Sequence, residues 1–131
     1  TTELCAASIL DMKWHELESV EGIDIDEFEK KACDAMGLIP EIAPRYRTTY
    51  FNHIFNSGYS AGYYSYLWAE VLDKDAFELF KQNGIWDPAT AASFKHNVLE
   101  KGSSDEPMTL YRNFRGADPD PDALLEARGL K

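Results

Sequence analysis

Helix start and stop signals recur along the chain and restrict it to a helical fold. Three pairs of an acidic residue and a proline place a carboxylate near a cap position and a proline in a first turn: Asp87-Pro88, Glu106-Pro107 and Asp120-Pro121. A glycine that can end the helix follows each pair, namely Gly102, Gly116 and Gly129. No segment alternates convincingly between apolar and polar residues, as a half-buried strand would. The sequence therefore predicts an all-α fold of about six or seven helices.

The remaining helices follow from apolar spacing and caps. One is predicted from about Glu3 to Ser19, and a second starts at a cap formed by Asp24 or Asp26. A long helix is predicted from about Tyr59 to Gln82. With 131 residues the chain suits one hydrophobic core rather than two. We therefore expect a single compact subdomain over residues 1–131.

Composition excludes several classes of partner. The formal net charge is −10, with 13 Lys and Arg against 23 Asp and Glu, which argues against binding nucleic acid or anionic lipid. No apolar run approaches the roughly 20 residues of a membrane-spanning helix. Cys5 and Cys33 lie among apolar residues and fit free thiols of a reducing compartment, although a disulfide stays open. We expect a cytoplasmic protein with neither nucleic acid nor membrane as a partner.

The richest chemistry lies in residues 53–68, where a histidine and several tyrosines flank a glycine-bearing loop. On a continuous helix Tyr59, Tyr63 and Tyr66 fall within roughly 60° of one another, so their hydroxyls would share one face. Gly58 would allow the loop to close on a ligand. The opposite face is predicted to be core, and its members are Tyr64, Leu67, Trp68 and Val71.

Each of these patterns has a structural alternative. Aromatic residues at helical spacing belong to a core more often than to a site, although a core favours Phe and Leu over phenols that need hydrogen-bond partners. The arginines could hold a substrate carboxylate or simply pair with acids; they are Arg45, Arg47, Arg112 and Arg115. His15, His53 and His96 are too far apart in sequence to form a local metal pair, so no metal site is predicted in this chain.

Several segments resemble, in order, the C-terminal part of the thimet oligopeptidase family of zinc metallopeptidases, most closely its bacterial peptidyl-dipeptidase (dipeptidyl carboxypeptidase) branch. The segments are residues 44–51, residues 63–72, Asp75-Ala-Phe77, Phe114-Arg-Gly116, residues 122–125 and Arg128-Gly-Leu130. The resemblance implies a helical peptidase that uses zinc to hydrolyse short peptides and that releases C-terminal dipeptides, although internal cleavage stays open as the alternative.

The resemblance also implies roles for individual residues. His53 and Tyr59 match positions that bind the peptide backbone, beside Gly58 in the loop. Tyr63 and Tyr66 match tyrosines whose hydroxyls stabilise the tetrahedral intermediate. The family's H-E-x-x-H helix and its third, glutamate ligand lie upstream of the region matched here and are missing from this sequence. We therefore expect a fragment of a longer protein that binds no zinc and is inactive by itself.

Two further expectations concern partners. The fragment would act with an upstream catalytic domain of the same chain, and alone it would self-associate through its exposed aromatic face. The rival hypothesis is a freestanding helical module that binds a peptide or protein without cleaving it. Upstream sequence that contains H-E-x-x-H would exclude that rival.

Overall fold

The computed structural model describes residues 1–131 and confirms the all-α class. Seven α-helices follow one another: α1 Thr2–His15, α2 Ile25–Ala35, α3 Asn52–Phe55, α4 Ser65–Asn83, α5 Pro88–Phe94, α6 Pro107–Arg115 and α7 Asp122–Ala127. A 3-10 turn at Thr48–Tyr50 precedes α3, and a π-helical turn at Lys95–Leu99 continues α5. The chain divides into two compact units, Thr1–Trp68 and Ala69–Lys131. The single subdomain expected from chain length stays a prediction.

The predicted caps Asp24 and Asp87 are confirmed, whereas Glu106 starts α6 without a side-chain cap bond and α7 begins at Asp122, one residue after Pro121. The Asp24 side chain accepts a hydrogen bond from the Glu27 N–H at 2.9 Å, and the Asp87 side chain accepts one from the Thr90 N–H at 2.7 Å. The bond from Thr90 lowers the pKa of the Asp87 carboxyl. Gly116 ends α6 with φ +79°, a left-handed conformation that glycine adopts without steric cost.

The first helix is shorter than predicted. It ends at His15 rather than near Ser19. Beyond it, the Ser19 hydroxyl accepts a hydrogen bond from the Glu21 N–H, a local bond that competes with continuation of a helix. Leu17 still packs against the core although it lies outside the helix.

The core of the first unit joins α1, α2 and α3 to the segment that follows α3. Its buried side chains are Ala7, Leu10, Trp14, Ala32, Phe51, Ile54 and Tyr63. The buried carboxylate of Glu29 ties α2 to the 3-10 turn, because it accepts hydrogen bonds from the Thr48 N–H and hydroxyl and pairs with Arg47. Trp14 in turn donates to the Thr48 hydroxyl at 2.9 Å. These bonds fix the backbone that leads into α3.

The second unit has its own apolar cluster around Ala76, Tyr111 and Phe114. The buried carboxylate of Asp75 accepts a hydrogen bond from the Tyr111 hydroxyl at 2.5 Å and pairs with Arg115 at 3.1 Å. Burial, followed by this bond, raises the pKa of the Tyr111 phenol. The acidic side chain therefore joins α4 to α6 inside this unit.

The predicted core face of the long helix is wrong in part. Tyr64 is 54% exposed and Trp68 is 46% exposed, whereas Leu67 and Val71 are half-buried. Helix α4 begins only at Ser65, so Tyr64 precedes it, and the first unit fills its core with Tyr63, Phe51 and Ile54 instead.

Cys5 and Cys33 are both free and half-buried, and burial raises the pKa of the Cys33 thiol. None of the helices combines the length and the apolar character that a membrane span requires.

We expect Leu10→Ala to lower the free energy of unfolding by about 2–5 kcal/mol, because Leu10 is fully buried in the first unit and its truncation leaves a cavity. Ile9→Ala is the matched control: the neighbouring Ile9 is 39% exposed and lies outside the buried core, so its truncation should cost under about 1 kcal/mol. Urea denaturation followed by fluorescence and circular dichroism measures both variants. Equal losses would contradict this description of the core.

Candidate functional site

The histidine and tyrosines singled out in the sequence do converge, in the first unit. His53 lies on α3, Tyr59 and Tyr63 lie in the turn of residues 59–64, and Tyr66 lies in the first turn of α4. The ring centroids of His53 and Tyr63 are 5.7 Å apart. Those of Tyr59 and Tyr66, and of Tyr63 and Tyr66, are each 5.0 Å apart. The four rings therefore form one contiguous group, which we call the aromatic cluster together with Tyr46 and Phe51.

The backbone that brings these rings together is not the predicted helix. Residues 59–64 form a turn, and Ala61 has φ +51°, a left-handed conformation that an L-residue with a side chain rarely adopts. A helix from Tyr59 is therefore wrong, although Tyr59 and Tyr66 stack as neighbours. The turn of residues 59–64, rather than a helix, brings Tyr59 and Tyr66 together.

Two members of the cluster were not among the predicted site residues. Tyr46 stacks on Phe51 with centroids 5.2 Å apart and packs against His53 at 4.8 Å. Phe51 meets the Tyr63 ring edge to face at 5.0 Å. Both residues lie in the segment of residues 44–51 that carries the family resemblance, and this was the available signal. They support His53 from the side of the 3-10 turn.

Exposure divides the cluster. Tyr63 is only 4% exposed and belongs to the core, whereas Tyr66 is 37% exposed and Tyr59 is half-buried. The alternative that the tyrosines belong to the core therefore holds for Tyr63. Tyr59 and Tyr66 retain surface that a ligand can contact.

His53 has an unsatisfied hydrogen-bonding atom. Its Nδ1 is buried and makes no hydrogen bond within the chain. A buried polar atom without a partner costs roughly 1–3 kcal/mol, so such atoms in a folded protein commonly mark a functional group. The imidazole is held between Tyr46 and Tyr63, and the residue as a whole is half-buried although this nitrogen has no exposed surface.

Two phenols of the cluster, Tyr63 and Tyr66, have raised pKa values. A hydrogen bond with Tyr59, followed by burial, raises the pKa of Tyr66 to about 12. Burial and the neighbouring Tyr46 raise the pKa of Tyr63, against an opposing effect of Arg45. Tyr63 and Tyr66 are consequently neutral hydrogen-bond donors at physiological pH. This chemistry suits the recognition of carbonyl oxygens or of a developing oxyanion.

A buried carboxylate that the sequence analysis missed holds the turn. Asp11 on α1 is fully buried and accepts hydrogen bonds from the Ala61 N–H at 3.0 Å and the Tyr63 N–H at 2.9 Å. The signal was an acidic residue on the apolar stripe formed by Ala7 and Trp14, where a core side chain is expected. The hydroxyl of Ser60 adds a bond to the Ile54 carbonyl at 2.6 Å.

Gly58 plays a smaller conformational role than predicted. It is exposed, its φ lies outside the left-handed region, and an added Cβ would meet no heavy atom within 4 Å. The residue that adopts a left-handed conformation in this segment is Ala61. Loop closure at Gly58 stays a prediction.

Three of the four candidate arginines pair with acidic side chains of the chain, which was the alternative to binding a substrate carboxylate. Arg47 pairs with Glu29 and Asp26, Arg112 pairs with Asp118, and Arg115 pairs with Asp75. The fourth, Arg45, lies over the Tyr46 ring with 5.5 Å between the guanidinium carbon and the ring centroid.

The histidines lie in different surroundings. His15 approaches Asp11, His96 approaches Glu100, and His53 lies in the aromatic cluster. No three side chains of His, Cys, Asp or Glu converge in a way that could hold a metal ion. The residues of this chain by themselves do not fit a zinc site.

Comparison with known proteins gives a consistent result. A family model described as Peptidase family M3 matches residues 1–130. Over 131 residues, 98% of the chain, the sequence is 44% identical to the dipeptidyl carboxypeptidase of Salmonella typhimurium. It is 54% identical over 81 residues, 62% of the chain, to oligopeptidase A of Escherichia coli. It is 37% identical over 110 residues, 81% of the chain, to the probable cytosolic oligopeptidase A of Arabidopsis thaliana.

The chain is much shorter than these relatives. It spans 19% of the Salmonella protein, 12% of the Escherichia coli protein and 16% of the Arabidopsis protein. The matched region therefore corresponds to less than a fifth of each relative.

We expect Ala61→Gly to raise the free energy of unfolding by about 0.5–1 kcal/mol. Glycine removes the steric cost of the left-handed backbone, and the added freedom of the unfolded chain offsets only part of that gain. Gly58→Ala is the matched control in the same segment and should not destabilise the protein, because its added methyl group enters open space. Thermal denaturation measures both changes, and destabilisation by Ala61→Gly would contradict the strained turn.

Proposed function

This chain belongs to peptidase family M3, as its resemblance to the thimet oligopeptidase family indicated, and we propose that it forms the substrate-binding part of a zinc metallopeptidase that hydrolyses short peptides. The observation that carries the proposal is the convergence of His53, Tyr59 and Tyr66 on a partly exposed aromatic surface. These side chains offer a half-buried imidazole and two phenol hydroxyls, of which Tyr66 is a neutral donor because its pKa is raised to about 12. A peptide backbone presents carbonyl oxygens and N–H groups that match them.

The proposed roles differ with exposure. His53 and Tyr59 bind the backbone of the peptide, and the loop at Gly58 borders them. Tyr66 donates a hydrogen bond to the oxygen that gains negative charge when the scissile carbonyl becomes tetrahedral, an interaction that grows stronger in the transition state. Tyr63 is the second proposed donor, and its buried ring also holds Tyr66 in place through their contact at 5.0 Å.

Members of the family depend on zinc, which acts as a Lewis acid in peptide hydrolysis. No suitable set of ligands converges within these 131 residues. Residues of an upstream catalytic domain of the intact protein would therefore hold the zinc. The 131-residue chain is accordingly proposed to be inactive by itself. Its contribution is to bind and orient the peptide.

Release of C-terminal dipeptides is the proposed reaction of the intact protein. The support is the 44% identity to a dipeptidyl carboxypeptidase, which extends over 98% of this chain. The similarity to oligopeptidase A is higher but covers only 62% of the chain. Mass spectrometry of products from an octapeptide distinguishes the two: successive loss of dipeptides supports the proposal, and internal fragments alone contradict it.

We also propose a cytoplasmic location. Two free cysteines suit a reducing compartment, and one Arabidopsis relative is named as a cytosolic enzyme. The net charge of −10 agrees with peptides rather than nucleic acid as partners.

One observation favours the alternative of a binding module without catalysis, or of self-association. Tyr64 and Trp68 are about half exposed, so the first unit presents apolar area beside the aromatic cluster. In the intact peptidase this area would contact the remaining domain. Sedimentation of the 131-residue chain over a range of concentrations tests self-association.

The function is tested by hydrolysis of a short internally quenched peptide, with the intact protein and the 131-residue chain assayed side by side in the presence of zinc. We expect activity only in the intact protein, complete loss with a chelator, and recovery when zinc is restored. Chelator-sensitive activity in the 131-residue chain would show that this chain binds the metal after all. An intact protein that binds the peptide without cleaving it would favour the binding module.

In the intact protein we expect Tyr66→Phe to lower kcat on the order of 10²-fold while KM changes little, because the lost hydroxyl acts mainly on the transition state. Tyr64→Phe is the matched control, since it removes a phenol hydroxyl from a neighbouring residue outside the aromatic cluster. Steady-state kinetics with the quenched peptide measures both variants. A rise in KM with unchanged kcat would assign Tyr66 to binding instead of catalysis.

A further inference from the structure

Asp11 occupies an unusual position for an acidic residue. It lies on α1, its side chain is fully buried, and the core residues Leu10 and Trp14 adjoin it in sequence. Burial of a carboxylate is costly unless its oxygens are hydrogen-bonded. A buried acid at this position therefore calls for an explanation beyond packing.

The partners of Asp11 supply that explanation. Its Oδ1 accepts a hydrogen bond from the Ala61 N–H at 3.0 Å, and its Oδ2 accepts one from the Tyr63 N–H at 2.9 Å. The His15 Nδ1 also lies 2.9 Å from Oδ1. Two backbone N–H groups of the turn, two residues apart, thus donate to the same carboxylate. That carboxylate belongs to a helix about 50 residues earlier in the chain.

Apart from the bonds to Asp11, the turn is held by local bonds, among them the bond from the Ser60 hydroxyl to the Ile54 carbonyl. Ala61 is left-handed, and such strained residues persist only where surrounding contacts enforce them. Inside the turn, the Gly62 N–H donates to the Tyr59 carbonyl at 2.9 Å. The two bonds to Asp11 flank Gly62, so they fix the residues between which the chain changes direction.

We propose that Asp11 is a positioning residue of the peptide-binding site, which acts by holding the turn of residues 59–64 so that Tyr59 and Tyr63 meet His53 and Tyr66. This inference rests on the proposed function of the tyrosines. Asp11 does not touch the peptide, since its oxygens are occupied by the turn and by His15. Its effect on the reaction passes through the backbone of Ala61 and Tyr63.

The first test measures the turn directly in the intact protein. Asp11→Asn preserves the volume of the side chain but leaves one acceptor oxygen and sets an amide NH2 group against a backbone N–H. We expect faster hydrogen–deuterium exchange in fragments that span residues 59–64, with little change in α2. Unchanged exchange in those fragments would overturn the anchoring role.

The second test separates positioning from general stability. In the intact protein, Asp11→Asn should lower kcat/KM on the order of 10- to 100-fold, because small displacements of catalytic groups are costly. If Asp11 acts by placing the Tyr63 hydroxyl, the same substitution should cost much less when Tyr63→Phe is already present. An equal loss in both backgrounds would overturn the positioning role and leave Asp11 as a structural residue.

Asp75→Asn provides the matched control. Asp75 is another buried acid, and its two polar partners, Tyr111 and Arg115, lie with it in the second unit. We expect it to lower thermal stability without changing exchange at residues 59–64. If Tyr63→Phe and Tyr66→Phe alone leave turnover unchanged, the proposed function fails, and the exchange data still decide whether Asp11 holds the turn.

Discussion

A carboxylate without exposed surface must have its oxygens hydrogen-bonded, and Asp11 meets this need with backbone N–H groups of Ala61 and Tyr63. The N–H groups need the carboxylate as much as it needs them, because they lie in an irregular turn and would otherwise have no hydrogen-bond acceptor inside the fold. The position of Tyr63 in the core follows from this bond, and the contacts of Tyr63 with His53 and Tyr66 follow from its position. The aromatic cluster thus depends on a polar interaction at its base.

The same device recurs in each unit. Glu29 is buried in the first unit and holds the 3-10 turn through Thr48, which in turn accepts a bond from Trp14. Asp75 is buried in the second unit and joins α4 to α6 through Tyr111 and Arg115. Short helices with irregular connections leave many backbone and side-chain donors to satisfy, and buried acids provide two acceptor oxygens each. Part of the acidic excess in the composition is therefore internal and structural.

The sequence predicted the elements that depend on local chemistry. Caps at Asp24 and Asp87, and the left-handed end of α6 at Gly116, follow from interactions within a few residues, and the structure confirms them. The turn of residues 59–64 was not predictable in this way. Its left-handed residue is an alanine, and its stabilising carboxylate lies about 50 residues away, so the local pattern favoured a helix. The sequence analysis predicted that the tyrosines converge, but it placed them on a helix, whereas a turn brings them together.

The two interpretations of the tyrosines, core and binding surface, describe two ends of one cluster. Phe51 and Tyr63 are buried, and their packing fixes the rings that reach the surface. Tyr66 gains from this arrangement, because a donor that is already oriented needs no reorganisation as charge develops on a substrate. Contact with Tyr59 and partial burial raise its pKa to about 12, so it stays a neutral donor at physiological pH. His53 is held by the same rings, and its buried Nδ1 has no hydrogen-bond partner within the chain, so the fold itself leaves one bond unmade at this position.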